Sequence, residues 1–245
     1  MPHYHPALPD HRPFIVGHRA GNHIHKAERA IKRGVDMLEA DVWRYRKKLE
    51  VRHLKTLGPL PILWDRWELA PGWTPRLHVD ELLEATPDDI PVMFDLKGED
   101  PHLPLGIIET MRNNYPDRPI IMCTRFWLQL DRIARETDIT RIYSVGDQKE
   151  RDGIFGRLET LEYPAVSIHK NLVNPSLMRR FDDVGAVVMA WGATTQDEAD
   201  LLLSLGVDGL TVSEGALQNW LLAERQGRNG TVTADNRSAP VEGTS

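Results

Sequence analysis

Met37-Leu38-Glu39-Ala40-Asp41-Val42-Trp43 reads as a strand, a compact apolar run with two carboxylates set two positions apart. Side chains two apart on a strand share a face, so Glu39 and Asp41 converge on one side of whatever sheet this strand enters. Similar runs lie on both sides of it. Residues 14–17 precede it, and 90–96, 119–124, 141–145, 165–168, 186–190 and 209–212 follow. Between several of them, at 80–85, 105–113, 128–136, 175–181 and 197–205, apolar residues recur every three or four positions and predict helices, with Gly206 as a stop. Eight such runs alternating with helices predict an α/β chain closed into a single (β/α)8 TIM barrel, whose functional groups gather at the C-terminal ends of the strands. An open doubly wound sheet is the alternative.

Residues 44–73 break this rhythm. A basic turn at 46–48, a short run at 49–53 and then Pro- and Trp-rich sequence predict a hairpin-like insertion and a long loop. Residues 1–13, rich in His and Pro, read as an N-terminal extension, and 226–245, poor in large apolar residues, as a flexible tail. The barrel domain is then 14–225.

With 41% hydrophobic and 27% charged residues in 245, the composition is that of a folded domain with a buried core. A net charge of −6 weighs weakly against a nucleic-acid or anionic-membrane partner and leaves room for a local basic pocket. The single cysteine, Cys123, allows no intrachain disulfide and suits a reducing cytoplasm. No stretch reads as a signal peptide or is apolar for long enough to span a bilayer, so no membrane span is expected.

Chemistry is concentrated at the strand ends. Glu39 and Asp41 would repel each other unless a proton or a cation intervened, which points to a metal site; two solvated carboxylates are the plain alternative. Asp95 and Lys97 repeat the two-apart spacing after Val92, Met93 and Phe94, and could equally form an ordinary ion pair. Three carboxylates without cysteine form a hard oxygen donor set, favouring Mg2+, with Ca2+ and Mn2+ as alternatives, over structural zinc. His18 follows the first strand and His53 ends the run after Glu50, Val51 and Arg52; two imidazoles across a reacting centre suit proton transfer, although a lone histidine is commonly structural. Three carboxylates, a divalent ion, a diester, Arg19 and Lys97 together balance to zero charge, so Arg19 and Lys97 suit contact with a phosphate.

Taken in order, Gly17-His18-Arg19, then Gly34 to Val42 with Glu39 and Asp41, then His53, then Phe94-Asp95-Leu96-Lys97 resemble the glycerophosphodiester phosphodiesterase family. Met189-Ala190-Trp191 and Gly206-Val207-Asp208-Gly209-Leu210 are similar to that family's last two strands. The resemblance implies a barrel that cleaves phosphodiesters with a divalent cation. Glu39, Asp41 and Asp95 would be metal ligands, His18 and His53 the acid/base pair, and Arg19 and Lys97 phosphate contacts. Trp191 would line the substrate pocket, with a core aromatic as its alternative. The implied substrate is a small-molecule or lipid-derived phosphodiester, a glycerophosphodiester or a related (lyso)phospholipid, with a cyclic phosphate as one route.

The chain departs from the pattern in three places. The Glu-Asn-Thr common after the first histidine is missing, Asp95 stands where many members carry Glu, and Leu54 replaces an Asp. The compact spacing and the Asp-x-Lys triplet are similar to the sphingomyelinase D-like phospholipase branch. Two other readings of the barrel remain, a Schiff-base lyase or aldolase using Lys97 and a non-catalytic barrel for a phosphorylated ligand. Among weaker signals, Ser167 and His169 alternate on one face of the sixth strand and could reach the barrel mouth, with a surface or packing role as the favoured reading, and His3, His5, His23 and His25 invite a metal reading that chance explains better. Trp64, Trp67 and Trp73 suggest a lid or an apolar patch over the site, with packing beneath the barrel rim as the plain alternative.

Overall fold

The computed structural model describes residues 5–56, 60, 62–65 and 68–235. The first half runs β1 (Phe14–Gly17), α1 (Ile24–Arg33), β2 (Met37–Tyr45), β3 (Lys48–Val51), β4 (Lys55–Thr56), β5 (Ile62–Asp65), β6 (Glu68–Pro71), β7 (Leu77–His78), α2 (Val79–Glu84), β8 (Val92–Leu96) and α3 (Leu103–Asn114). Next come β9 (Ile120–Thr124), α4 (Leu128–Arg132), β10 (Ile139–Val145), α5 (Gln148–Gly153), α6 (Phe155–Leu158) and β11 (Ala165–His169). The chain continues with α7 (Pro175–Asp183), β12 (Val187–Trp191), α8 (Gln196–Ser204), β13 (Gly209–Val212) and α9 (Gly215–Asp235).

Eight of these strands pair in parallel in the order β1-β2-β8-β9-β10-β11-β12-β13. The ring closes because β1 pairs with β13, Phe14 opposite Gly209, and with β2, Val16 opposite Met37. That closure excludes the open doubly wound sheet.

Strand alternation sorts the core into two shells. Phe14, Val16, Met37, Met93, Ile121, Cys123, Ile142, Ala165, Val187 and Met189 fill the barrel, whereas Ile15, Leu38, Ala40, Val42 and Phe94 face outward under the helices. Gly209 leaves no room for a side chain: a Cβ there would stand 2.4 Å from the Phe14 ring. On β2 the same alternation that turns Met37 inward turns Glu39 and Asp41 inward too, one and two steps nearer the C-terminal mouth.

The N-terminal mouth is shut by the chain itself. Leu8 belongs to the interior cluster, its N–H donating to the His5 carbonyl at 3.1 Å, and Arg12 pairs with Asp208 at 2.9 Å. His5 is buried there, and that burial lowers its pKa to about 4. Beneath this segment lies a concavity of about 1080 Å3, bordered by His5, Asp36, Arg118 and Tyr163 and remote from the paired carboxylates.

The insertion is more ordered than its sequence predicts. β2 outruns the barrel and turns back as β3 through Arg46 and Lys47, with φ of 48° and 67°. The expected long loop contains the separate antiparallel sheet β4-β5-β6. Trp67 lies outside the described residues, as do His3 and the end of the expected tail; α9 takes in the start of that tail. No helix among the described residues is long and apolar enough to cross a membrane.

Candidate active site at the C-terminal mouth

Register brings the acidic groups together. Asp41 on β2 stands opposite Asp95 on β8, and Glu39 opposite Met93. Facing positions of parallel neighbours present the same side, so all three carboxylates meet at the mouth, their donor atoms within 4.8 Å of one another. Glu39 and Asp41 are buried. Burial, reinforced by Asp41 and Asp95, pushes the Glu39 carboxyl well above its ordinary range, and burial also raises Asp95 against the pull of Lys97. At Asp41 burial works in the same direction, but Lys97, Arg19 and Asn22 outweigh it and hold the group low. An all-oxygen cluster that cannot ionise fully on its own suits a hard divalent cation.

Lys97 Nζ lies 2.8 Å from Asp41 Oδ1 and also bonds Asp95. Burial would lower its pKa, yet Asp95, Asp41 and Glu39 overcome this and keep the ammonium protonated. A Schiff-base lysine needs the free amine, so the site disfavours the lyase reading.

The loop after β1 supplies the remaining frame. Gly21 lets it lie against β2, since a Cβ would stand 2.8 Å from Ala40 Cβ. Arg19, with φ of 52°, donates its backbone N–H to Glu39 and places its guanidinium 2.6 Å from His53 Nε2 and 3.6 Å from Asp41 Oδ2. Buried Asn22 grips Asp41 twice: it accepts the Asp41 N–H at 2.8 Å and donates Nδ2–H to Oδ2 at 2.7 Å. His18 Nδ1 lies 2.7 Å from Ser213 Oγ, and burial, then Arg19, lowers the imidazole to about 4. His53 Nδ1 meets Asp65 Oδ2 at 2.5 Å.

His18, Arg19, Glu39, Asp95, Lys97 and Trp191 line one cavity of about 230 Å3. Asp41 packs at its edge through Lys97, and His53 through Arg19. Trp191 meets the His169 ring edge-on at 4.5 Å, and its buried Nε1 has no hydrogen-bond partner among the described residues. Every candidate site residue is therefore gathered at one mouth. Of the weaker signals, Ser167 lines the same cavity, while His169 supports Trp191. His5 is at the opposite mouth, and His23 and His25 sit at the start of α1 with ring centroids 5.5 Å apart.

Sequence reasoning missed Asn22, Ser213 and Asp65. Ser213 directly follows β13, so the strand-end rule was sufficient to find it. Asn22 sits three residues beyond Arg19 at the end of a single 3-10 turn, with no period to mark it. Asp65 is an isolated acid among Pro and Trp residues, and no period marks it either.

Residues 80–214 match the glycerophosphoryl diester phosphodiesterase family. The chain belongs to this family. Its members are phosphoric diester hydrolases, and that is the enzyme class of the chain. The match includes Asp95, Lys97 and Trp191, whereas His18, Arg19, Glu39, Asp41 and His53 precede it and join those residues in space.

Three solved structures carry the same fold. An Oleispira antarctica phosphodiesterase in complex with the product sn-glycerol-3-phosphate has 16% identity and a TM-score of 0.71, covering 86% of this chain and 96% of its own. The Thermotoga maritima glycerophosphodiester phosphodiesterase has 16% identity and a TM-score of 0.67, covering 88% and 100%. That from Parabacteroides distasonis has 16% identity and a TM-score of 0.68, covering 89% and 99%. No curated protein matches the chain.

Proposed function

We propose that the chain hydrolyses glycerophosphodiesters or related (lyso)phospholipids at this mouth, with Glu39, Asp41 and Asp95 holding a divalent cation. The carrying observation is the convergence of the three carboxylates within 4.8 Å, beside Lys97 and Arg19. Mg2+ fits the oxygen donors first, and Ca2+ or Mn2+ by the same chemistry. When bound, the cation supplies Lewis-acid assistance at a phosphoryl oxygen.

The residues themselves divide the remaining work. Arg19 turns from His53 toward a nonbridging oxygen, and protonated Lys97 faces the charge that develops there. His18 is unprotonated near neutral pH; with its Nδ1–H given to Ser213, Nε2 accepts the proton of the nucleophile. Asp65 fixes His53 through Nδ1–H, which leaves Nε2, the atom Arg19 turns away from, to pass a proton to the leaving alcohol. Trp191 forms the wall, its Nε1–H available to a polar atom of the substrate. Water as nucleophile yields a phosphomonoester, and a neighbouring substrate hydroxyl yields a cyclic phosphate first; phosphorus NMR of the products separates these routes. A cytoplasmic location belongs to the same proposal, supported by the single buried Cys123.

The test is turnover of glycerophosphocholine, lysophosphatidylcholine and sphingomyelin, with chelator and after adding back Mg2+, Ca2+ or Mn2+. Turnover that stops with chelator and returns with a divalent ion is the expected result. Undiminished turnover in chelator sinks the cation assignment. Tight binding of a phosphodiester without any turnover favours the non-catalytic barrel.

A further inference from the structure

The sheet β4-β5-β6 has two unlike faces. Thr56, Leu63 and Ala70 lie in register and turn inward, with Leu63 buried and Thr56 Oγ1 accepting from Arg52 at 2.9 Å. Lys55, Trp64 and Leu69 lie in register on the other face, and all three are exposed. Leu69 is 76% exposed, and Trp73, in the turn after β6, 77%. The Lys55 ammonium stands 5.8 Å over the Trp64 ring. Asp65, at the end of β5, ties the sheet to His53, so the sheet stands at the reactive end of the barrel. Phe126 and Leu128, also exposed, follow β9 at that end, and Phe126 lines the cavity itself.

Charge says what such a face fits. Residues 44–76 contain eight Lys and Arg against three Asp and Glu in a chain of net −6; Arg52 is buried on Glu50 and Arg44 pairs with Asp100, and the exposed cations among the described residues are Arg46, Lys47, Lys48 and Lys55. The β2–β3 tip contributes Arg46, Lys47 and Lys48, all exposed. Exposed leucine takes up acyl chains, tryptophan suits the headgroup boundary, and clustered Lys and Arg attract anionic headgroups. A second copy of the chain seated there across a two-fold axis would oppose one positive segment to another.

We propose that the outer face of β4-β5-β6, with Trp73 and the basic β2–β3 tip, docks on an anionic lipid surface and holds the open mouth against it. This goes beyond the phosphodiesterase reading and rests on it only in the choice of a lipid as occupant.

Flotation of the full chain with phosphatidylcholine vesicles, with and without phosphatidylglycerol, tests the surface without any turnover. The expected result is binding to the anionic vesicles that high salt reverses. Leu69→Ser combined with Trp73→Ser lowers partition by about tenfold or more, and turnover of a soluble glycerophosphodiester stays unchanged. Lys47→Glu with Lys48→Glu, at an exposed tip away from packing, weakens binding as well. The proposal is overturned if the chain binds neither vesicle, or if both double variants bind as the parent does. It is also overturned if sedimentation finds a dimer that Leu69→Ser/Trp73→Ser abolishes while vesicles remain unbound. Vesicle binding without turnover of any phosphodiester upholds the docking surface and sinks the catalytic reading.

Discussion

The two ends of one barrel are built from the same strands and differ in nearly everything else. At the N-terminal end, inward positions carry Phe14 and Met37, and Leu8 plugs the opening. At the C-terminal end, one or two steps further along, they carry Glu39, Asp41 and Asp95 around an open cavity. A change of residue type along a single strand thus divides stability from chemistry, and substitutions at the two ends should fail in opposite ways.

The largest expected contrast is in rate. His18→Ala or His53→Ala should reduce turnover by about 10^3-fold or more and leave the melting temperature near that of the parent. Full activity in His18→Ala would refute its role. Leu8→Ala should do the reverse, lowering stability by roughly 3 kcal/mol in urea unfolding while kcat at moderate temperature is kept. A kcat that falls with an unchanged unfolding midpoint would erase the distinction between the ends. Asp95→Asn should raise the half-saturating Mg2+ concentration by about tenfold or more, read by titrating activity, with kcat at saturation much less affected. Asn22→Ala, acting through Asp41, should move in the same direction by a smaller factor.

The last effect concerns His5. Its folded pKa of about 4 lies below the ordinary 6.5, so the unfolded chain binds the extra proton first. The stability kept by the neutral ring is fully present above pH 6.5, declines as pH falls through the interval, and levels off below about 4. The loss should reach roughly 1.4 kcal/mol by pH 5.5. Urea unfolding of His5→Phe at pH 7 and 5.5 should show a shallower decline than the parent. An equal decline in both proteins would place the proton elsewhere.

Much of this arrangement is legible in the sequence because barrel strands are covered on both faces and so appear as compact apolar runs. All eight were found, with ends shifted by a residue or two, as where β10 begins at Ile139 and not at 141. Glu39, Asp41, Asp95 and Lys97 were readable because a period of two fixes their faces. α1 was not, because it buries only Ala27 and Ala30 and has no large apolar stripe. α9 was hidden by a polar composition, although Leu217 and Leu221 anchor it to the core. Asp65 depends on where β5 is laid, and that is set by its partner strands, which no local pattern reveals.

The ring is fastened where its first strand meets its last, and the His18 backbone N–H reaches the Val212 carbonyl at 3.0 Å across that joint. The imidazole beside it leans on Ser213, almost two hundred residues later in the chain. A ribosome must therefore deliver Ser213 before this reactive group is steadied, and any fragment ending before Gly209 is born without the strand that completes the ring.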